Sequence, residues 1–148
     1  MDDVSVYFSP GKDPETNIVG FINACVKSLD VAMFAFSSAH ICAALFDADR
    51  RGIFVRLILD GRQTMNSYSA YAKFIKSAPG DIAVVVKAGR GVMHNKFAIG
   101  DGNAVITGSY NWTESARRAN NENLVIIRRG SAVGKFINEF NMLWQEFQ

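Results

Sequence analysis

The sequence predicts one α/β domain whose mixed, largely parallel β-sheet is flanked by helices on both faces. Three observations predict it. From residue 4 to residue 87, apolar runs of strand length alternate with stretches of helical spacing, which is the pattern of βαβ crossovers covering both faces of a sheet. After residue 90 the strands follow one another closely, so an antiparallel hairpin must interrupt the parallel order. The 148 residues suit a single domain burying roughly 68–70% of its unfolded surface. No Pro/Ser/Gly linker, low-complexity tract or internal repeat divides residues 1–148.

Each element has a local reason. Val4 to Phe8 reads as a strand broken by Pro10-Gly11. Residues 15–28 carry Ile18, Phe21, Ile22, Cys25 and Leu29 at helical spacing, and Val31 to Phe36 is a buried strand. Ser37 or Ser38 caps a second helix with the stripe Ile41, Ala44, Leu45 and Ala48, ended by Gly52. Phe54 to Leu59 is a strand that stops at Asp60-Gly61. A third helix is marked by Tyr68, Tyr71, Ala72 and Ile75 and closed by Pro79-Gly80. Strands follow near 82–87, 92–100, 103–110 and 122–128. The last helix gathers Val133, Phe136, Ile137, Phe140, Trp144 and Phe147 on one face.

Composition narrows the function. The 16 Lys+Arg and 14 Asp+Glu leave a formal charge of +2, too little for a protein that holds polyanions by bulk charge. No apolar run reaches the about 18–20 residues of a membrane span, so no stable membrane insertion is expected. Met1-Asp2-Asp3 lacks the regions of a signal peptide, which places the protein in the cytoplasm, or outside it if a leader was removed. Cys25 and Cys42 fall on apolar stripes and read as inert buried thiols. With His40 and His94 as the two histidines, and no H-E-x-x-H, C-x-x-C or phosphate-loop pattern, the sequence implies no metal and no cofactor. His40 reads as an exposed residue in the first turn of its helix.

Asp101-Gly102 between apolar runs signals a two-residue type I′ hairpin. That loop would set Gly100 opposite Asn103 and put His94, Lys96, Ser109 and Asn111 on one face. Phe97, Ile99, Ala104 and Ile106 would form a core on the other. An imidazole can attack or exchange protons near neutral pH. An ammonium, a hydroxyl and an amide N–H₂ can stabilise charge on phosphoryl oxygens. The grouping points to phosphoryl transfer through histidine.

His94, Lys96, Asp101, Gly108, Ser109 and Asn111 read H-x-K-x4-D-x6-G-S-x-N. This resembles the H-K-D signature of the phospholipase D superfamily. Tyr7-Phe8-Ser9-Pro10, the unit from Arg51-Gly52 to Asp60, Glu122-Asn123 and Trp144 look like its short bacterial endonuclease branch. The resemblance implies the superfamily's fold, a phosphohistidine intermediate, no metal ion, and two motifs meeting at one active site. One chain supplies one motif, in residues 94–111, so a homodimer with the site on its two-fold axis is expected.

His94, Lys96, Ser109, Asn111 and Glu122 are therefore the candidate catalytic residues, with Glu122 expected to hold the imidazole N–H. Asp101, at the far end of the hairpin, and Gly108 are structural motif positions. Arg62, Arg90, Arg117 and Arg118 could form a basic rim, and Trp112 a core residue or a stacking platform. The leading expectation is a metal-independent nuclease acting on nucleic acid with little sequence preference. A phospholipid hydrolase of the same mechanism and a non-catalytic phosphate-binding or dimerisation module are the alternatives.

Overall fold

The computed structural model describes residues 3–71 and 80–148. Along the chain run β1 (Val4–Ser9), α1 (Asp13–Ala24), β2 (Ser28–Met33), α2 (Ala39–Arg50), β3 (Phe54–Asp60) and α3 (Gly61–Thr64). They are followed by β4 (Ala83–Lys87), β5 (Lys96–Gly100), β6 (Ala104–Gly108), α4 (Glu114–Arg118), β7 (Glu122–Ile127) and α5 (Ser131–Phe147). The strands form one seven-stranded sheet in the order β1-β7-β6-β5-β2-β3-β4.

The sheet is mixed, with helices on both faces, but it is not largely parallel. Only β2–β3 and β3–β4 pair in parallel; β1–β7, β7–β6, β6–β5 and β5–β2 are antiparallel. The crossover β1–α1–β2 does leave its two strands pointing the same way. Instead of lying side by side they stand apart, because β5, β6 and β7 insert between them. Alternation of helix and strand reveals relative direction, not which strands become neighbours.

Side-chain alternation divides the sheet into two cores. Leu29, Val31, Met33, Leu57, Ala98, Ile106 and Ile126 pack toward α1 and α2, with Ile18, Ile22, Ile41 and Leu45. Ala32, Ile58, Phe97, Ile99 and Val105 pack toward Val133 and Phe140 of α5. The α5 side is also tied by Arg56, which donates to both carboxylate oxygens of Asp30, at 2.7 and 2.9 Å. Its guanidinium lies 4.8 Å from the Phe140 ring and 5.2 Å from the Trp144 ring, a cation–π contact that couples the helix to the sheet.

Boundaries moved where polar groups intervene. Ser38, the expected cap, accepts from the Ile41 N–H at 3.3 Å. β2 begins at Ser28, so Leu29, expected on the helical stripe, is a fully buried sheet residue. The helix ends early because the Asp101 carboxylate receives the N–H groups of Val26, Lys27 and Ser28 at 2.7–3.1 Å. Of the expected third helix, Ala72, Ile75 and Pro79 lie outside the described residues. α3 is one short turn opening directly after β3.

Asp101 is therefore a clamp between the hairpin and the α1–β2 junction. Burial raises its carboxyl pKa, but the three N–H donors and the Lys27 ammonium outweigh burial and set it below the ordinary carboxylate range. The clamp's stability is then present above the unfolded-state pKa of about 3.9 and is lost as pH falls through the lower folded value. Asp101→Asn keeps an acceptor oxygen but loses the charge. It is expected to destabilise the domain by about 1 kcal/mol at pH 7, below the about 1.5–3 kcal/mol of a hydrogen bond to a charged group because three of the four contacts are exposed to solvent. Urea unfolding at pH 7 and pH 3 checks this, with the gap from wild type narrowing at the lower pH.

Candidate active site

The C-terminal ends of β1, β2, β3, β4 and β6 and the N-terminal ends of β5 and β7 lie along one edge of the sheet. His94, Lys96, Ser109, Asn111 and Glu122 all sit there. The edge is built by five residues that prolong β2. Phe34 N–H donates to Asn95 O at 3.0 Å and Trp112 N–H to Ala35 O at 3.1 Å. Ser37 and Ser38 N–H both donate to Trp112 O at 2.9 Å. Ala35 N–H donates to Asn111 Oδ1 at 3.1 Å, which leaves the Asn111 N–H₂ as the donor end.

His94 is exposed and precedes β5. Its ring rests on Phe34 with centroids 4.5 Å apart. Lys96 Nζ lies 3.1 Å from Nδ1 and 3.4 Å from Nε2, donates to the His94 carbonyl oxygen at 2.8 Å, and stands 5.4 Å from the Phe34 ring centroid. An ammonium can only donate, so a ring nitrogen that accepts from it carries a lone pair. Partial burial lowers the Lys96 pKa, while the negative charge of Glu122 works to raise it.

Ser109 Oγ accepts from Asn123 N–H at 3.1 Å. Glu122 departs from expectation: instead of holding the imidazole, its Oε1 accepts from Asn120 Nδ2 at 3.3 Å, and its influence falls on Lys96. Gly108 earns its place sterically. At φ +147°, a Cβ there would lie 2.3 Å from the Asn123 carbonyl oxygen, so a side chain would push β6 off β7 just before Ser109.

The hairpin register differs from the expected one by a single residue. The type I′ turn forms, with Asp101 at φ 52°, Gly102 at φ 67° and Asn103 N–H bonded to Gly100 O at 3.0 Å. Asn103 then bulges, and the ladder resumes at Gly100↔Ala104 and Phe97↔Thr107. Phe97 and Ile99 therefore share a face with Val105, while Ile106 lies on the opposite face. Ser109 and Asn111 come to the site beyond the end of the ladder, through the turn at Gly108.

Other expected contributors are placed differently. Trp112 is 1% exposed and packs edge-on against Phe36, with centroids 5.2 Å apart, so its face is closed to a base. Arg117 is paired with Glu114 at 3.0 Å and Glu15 at 3.8 Å, and Arg118 with Glu114 at 2.8 Å; two rim arginines are thus committed. Arg62 and Arg90 are exposed in the segments after β3 and β4. The fold also gathers ligand-type atoms of Glu15, His40 and Glu114 within 4.8 Å of one another, a cluster not expected from a chain with two histidines. Arg117 already supplies the cation there.

Asp60, expected only as the end of a strand, has a role at the site. Asp60 is 1% exposed, and its carboxylate accepts from Arg62 N–H at 3.0 Å and Met93 N–H at 2.8 Å. It fixes the backbone immediately before His94. A carboxylate ending an otherwise apolar strand, before a glycine, was the available signal.

Comparison with known proteins agrees with this arrangement. The family described as "Cardiolipin synthase, PLD-like domain" matches residues 18–144. The chain belongs to the phospholipase D superfamily. A phospholipase D of Rickettsia bellii is 30% identical over 93% of this chain and 67% of that protein. The human mitochondrial cardiolipin hydrolase is 34% identical over 93% of this chain and 53% of its own length. The chain spans little more than half the length of the cardiolipin hydrolases it matches. The crystal structure of Nuc, a phospholipase D family member from Salmonella typhimurium, superposes with a TM-score of 0.87 and 25% identity, covering 98% of this chain and 95% of that one. The fold is thus that of a phospholipase D-type domain.

Asp60→Ala is expected to strand the buried Met93 N–H in this phospholipase D-type site, while the half-buried Arg62 N–H turns to water, at a cost of about 1–3 kcal/mol. Thermal unfolding should show a Tm lower by roughly 3–10 °C.

Proposed function

We propose that this protein is a phosphodiesterase cleaving nucleic acid through a covalent phosphohistidine, working as a homodimer with its site on the two-fold axis. The observation that carries the chemistry is the His94–Lys96 pair, an exposed imidazole with an ammonium 3.1 Å from its Nδ1. A lone-pair-bearing His94 nitrogen attacks phosphorus, forming a P–N bond as the P–O bond to the leaving oxygen breaks. A protonated His94 of the partner subunit gives that oxygen its proton. Water then attacks the phosphohistidine, passes its proton to the now neutral imidazole of the partner, and releases His94. Lys96 and the Asn111 N–H₂ stabilise the non-bridging oxygens as charge develops.

Support for nucleic acid comes from the resemblance to the short endonuclease branch and from the near-complete overlap with Nuc. A cardiolipin-type diester is the second reading, favoured by relatives named mitochondrial cardiolipin hydrolase at 30–37% identity. Among the described residues no helix is long and apolar enough to cross a membrane.

Incubation with single- and double-stranded DNA, RNA and cardiolipin vesicles, each with and without excess chelator, separates the readings. Cleavage of nucleic acid that persists in chelator is expected; cleavage of cardiolipin alone favours the second. His94→Asn should abolish turnover, and Lys96→Ala should lower kcat by about 10²–10³, the scale for losing one preorganised donor.

The dimer has a physical candidate for its contact. Val4, Val6 and Phe8 of β1 are 50%, 48% and 69% exposed on the face that α5 covers elsewhere, and this apolar row runs to the site edge beside Asn123. A second copy seated there would bury it. Sedimentation should give about twice the chain mass, and Phe8→Glu should shift the equilibrium to monomer with loss of activity. Mixed dimers of wild type and His94→Asn should be far below half active.

A further inference from the structure

A groove of about 610 Å³ opens beside Asn111, within the range of about 300–1,000 Å³ usual for ligand clefts. Its walls come from the β2 extension, the segment after α3 and the start of α4. Its chemistry is unlike that of a phosphate channel. Gln63, Asn66, Asn111 and Asn120 line it with carboxamides, and Tyr68 lines it with a ring on a residue 69% exposed. Among the described lining residues only Glu114 carries charge, and it is negative and engaged by Arg117 and Arg118. Among those residues an anionic headgroup or a phosphate run would find carboxamides and hydroxyls but no cation.

Carboxamides present a donor and an acceptor side by side, matching the edges of nucleobases. An accessible aromatic ring offers a stacking surface to any base. Resting on the nuclease reading, we propose that this groove takes an unstacked nucleobase next to the scissile phosphate, with Tyr68 stacking on it and Gln63 and Asn120 reading its edge. The phosphate then lies at Lys96 while its base turns away from the cationic pair. Duplex DNA, whose bases are paired and stacked, cannot fill the groove without unpairing.

The test compares a 12-mer of thymidylate with a 12-mer of abasic sugar-phosphates carrying the same charge. Wild type, Tyr68→Ala and Tyr68→Phe are measured, and thermal melts confirm that each variant is folded. The ratio of KM values, abasic over thymidylate, should be at least about tenfold for wild type and Tyr68→Phe, in keeping with base stacking. It should fall toward one in Tyr68→Ala. A wild-type ratio of one, or an undiminished ratio in Tyr68→Ala, overturns the base-binding groove. If both 12-mers resist cleavage while bis(p-nitrophenyl) phosphate or cardiolipin is hydrolysed, the nuclease reading itself fails and the groove proposal falls with it.

Discussion

Backbone hydrogen bonding just beyond β2 is the constraint on which the site depends. Once β2 leaves the sheet at Met33, the polar groups of residues 34–38 must still find partners, because buried unpaired amides are costly. They find them on both halves of the motif: Asn95 on one side, Asn111 and Trp112 on the other. The same segment contributes Phe34, the surface under the His94 ring. A strand end thus sets the separation of two segments that lie about fifteen residues apart in the chain, and the side chains follow from that.

Much of this was legible in the residues. Strand and helix order could be read because apolar spacing follows the periods of the two backbones, and Asp101-Gly102 announced its turn through the need for positive φ at both positions. The motif histidine, lysine and asparagine could be read because their spacing is specific. What escaped the sequence were events of one residue or of tertiary choice. The bulge at Asn103 moved Ile106 to the opposite face without altering any apolar count. The insertion of β5–β7 between β1 and β2 depends on packing that no local pattern records. Likewise, nothing in the sequence distinguishes a solvated arginine from Arg117, which lies against Glu15 and Glu114 only after α1 and α4 meet.

A near-neutral chain also has to concentrate its positive charge. Pairing does this by subtraction. Arg56, Arg117 and Arg118 are neutralised by carboxylates within the fold, and Lys96, next to His94, stays a cation at the site edge with Glu122 nearby. Besides Lys96, the exposed Arg62 and Arg90 follow β3 and β4 at the same edge of the sheet.

Cys25 and Cys42 have a practical consequence of another kind. Burial pushes their thiols up to about 11 and about 12, respectively, with Asp101 adding to the rise at Cys25. Both stay protonated at neutral pH and are shut away under α1 and α2, and only a thiolate reacts readily with disulfides or alkylating agents. The folded domain is thus silent to thiol reagents, whereas any opening that lifts α1 or α2 from the sheet turns these cysteines into reporters. The protein carries its own built-in clock for rare excursions from the native state, readable without adding a label.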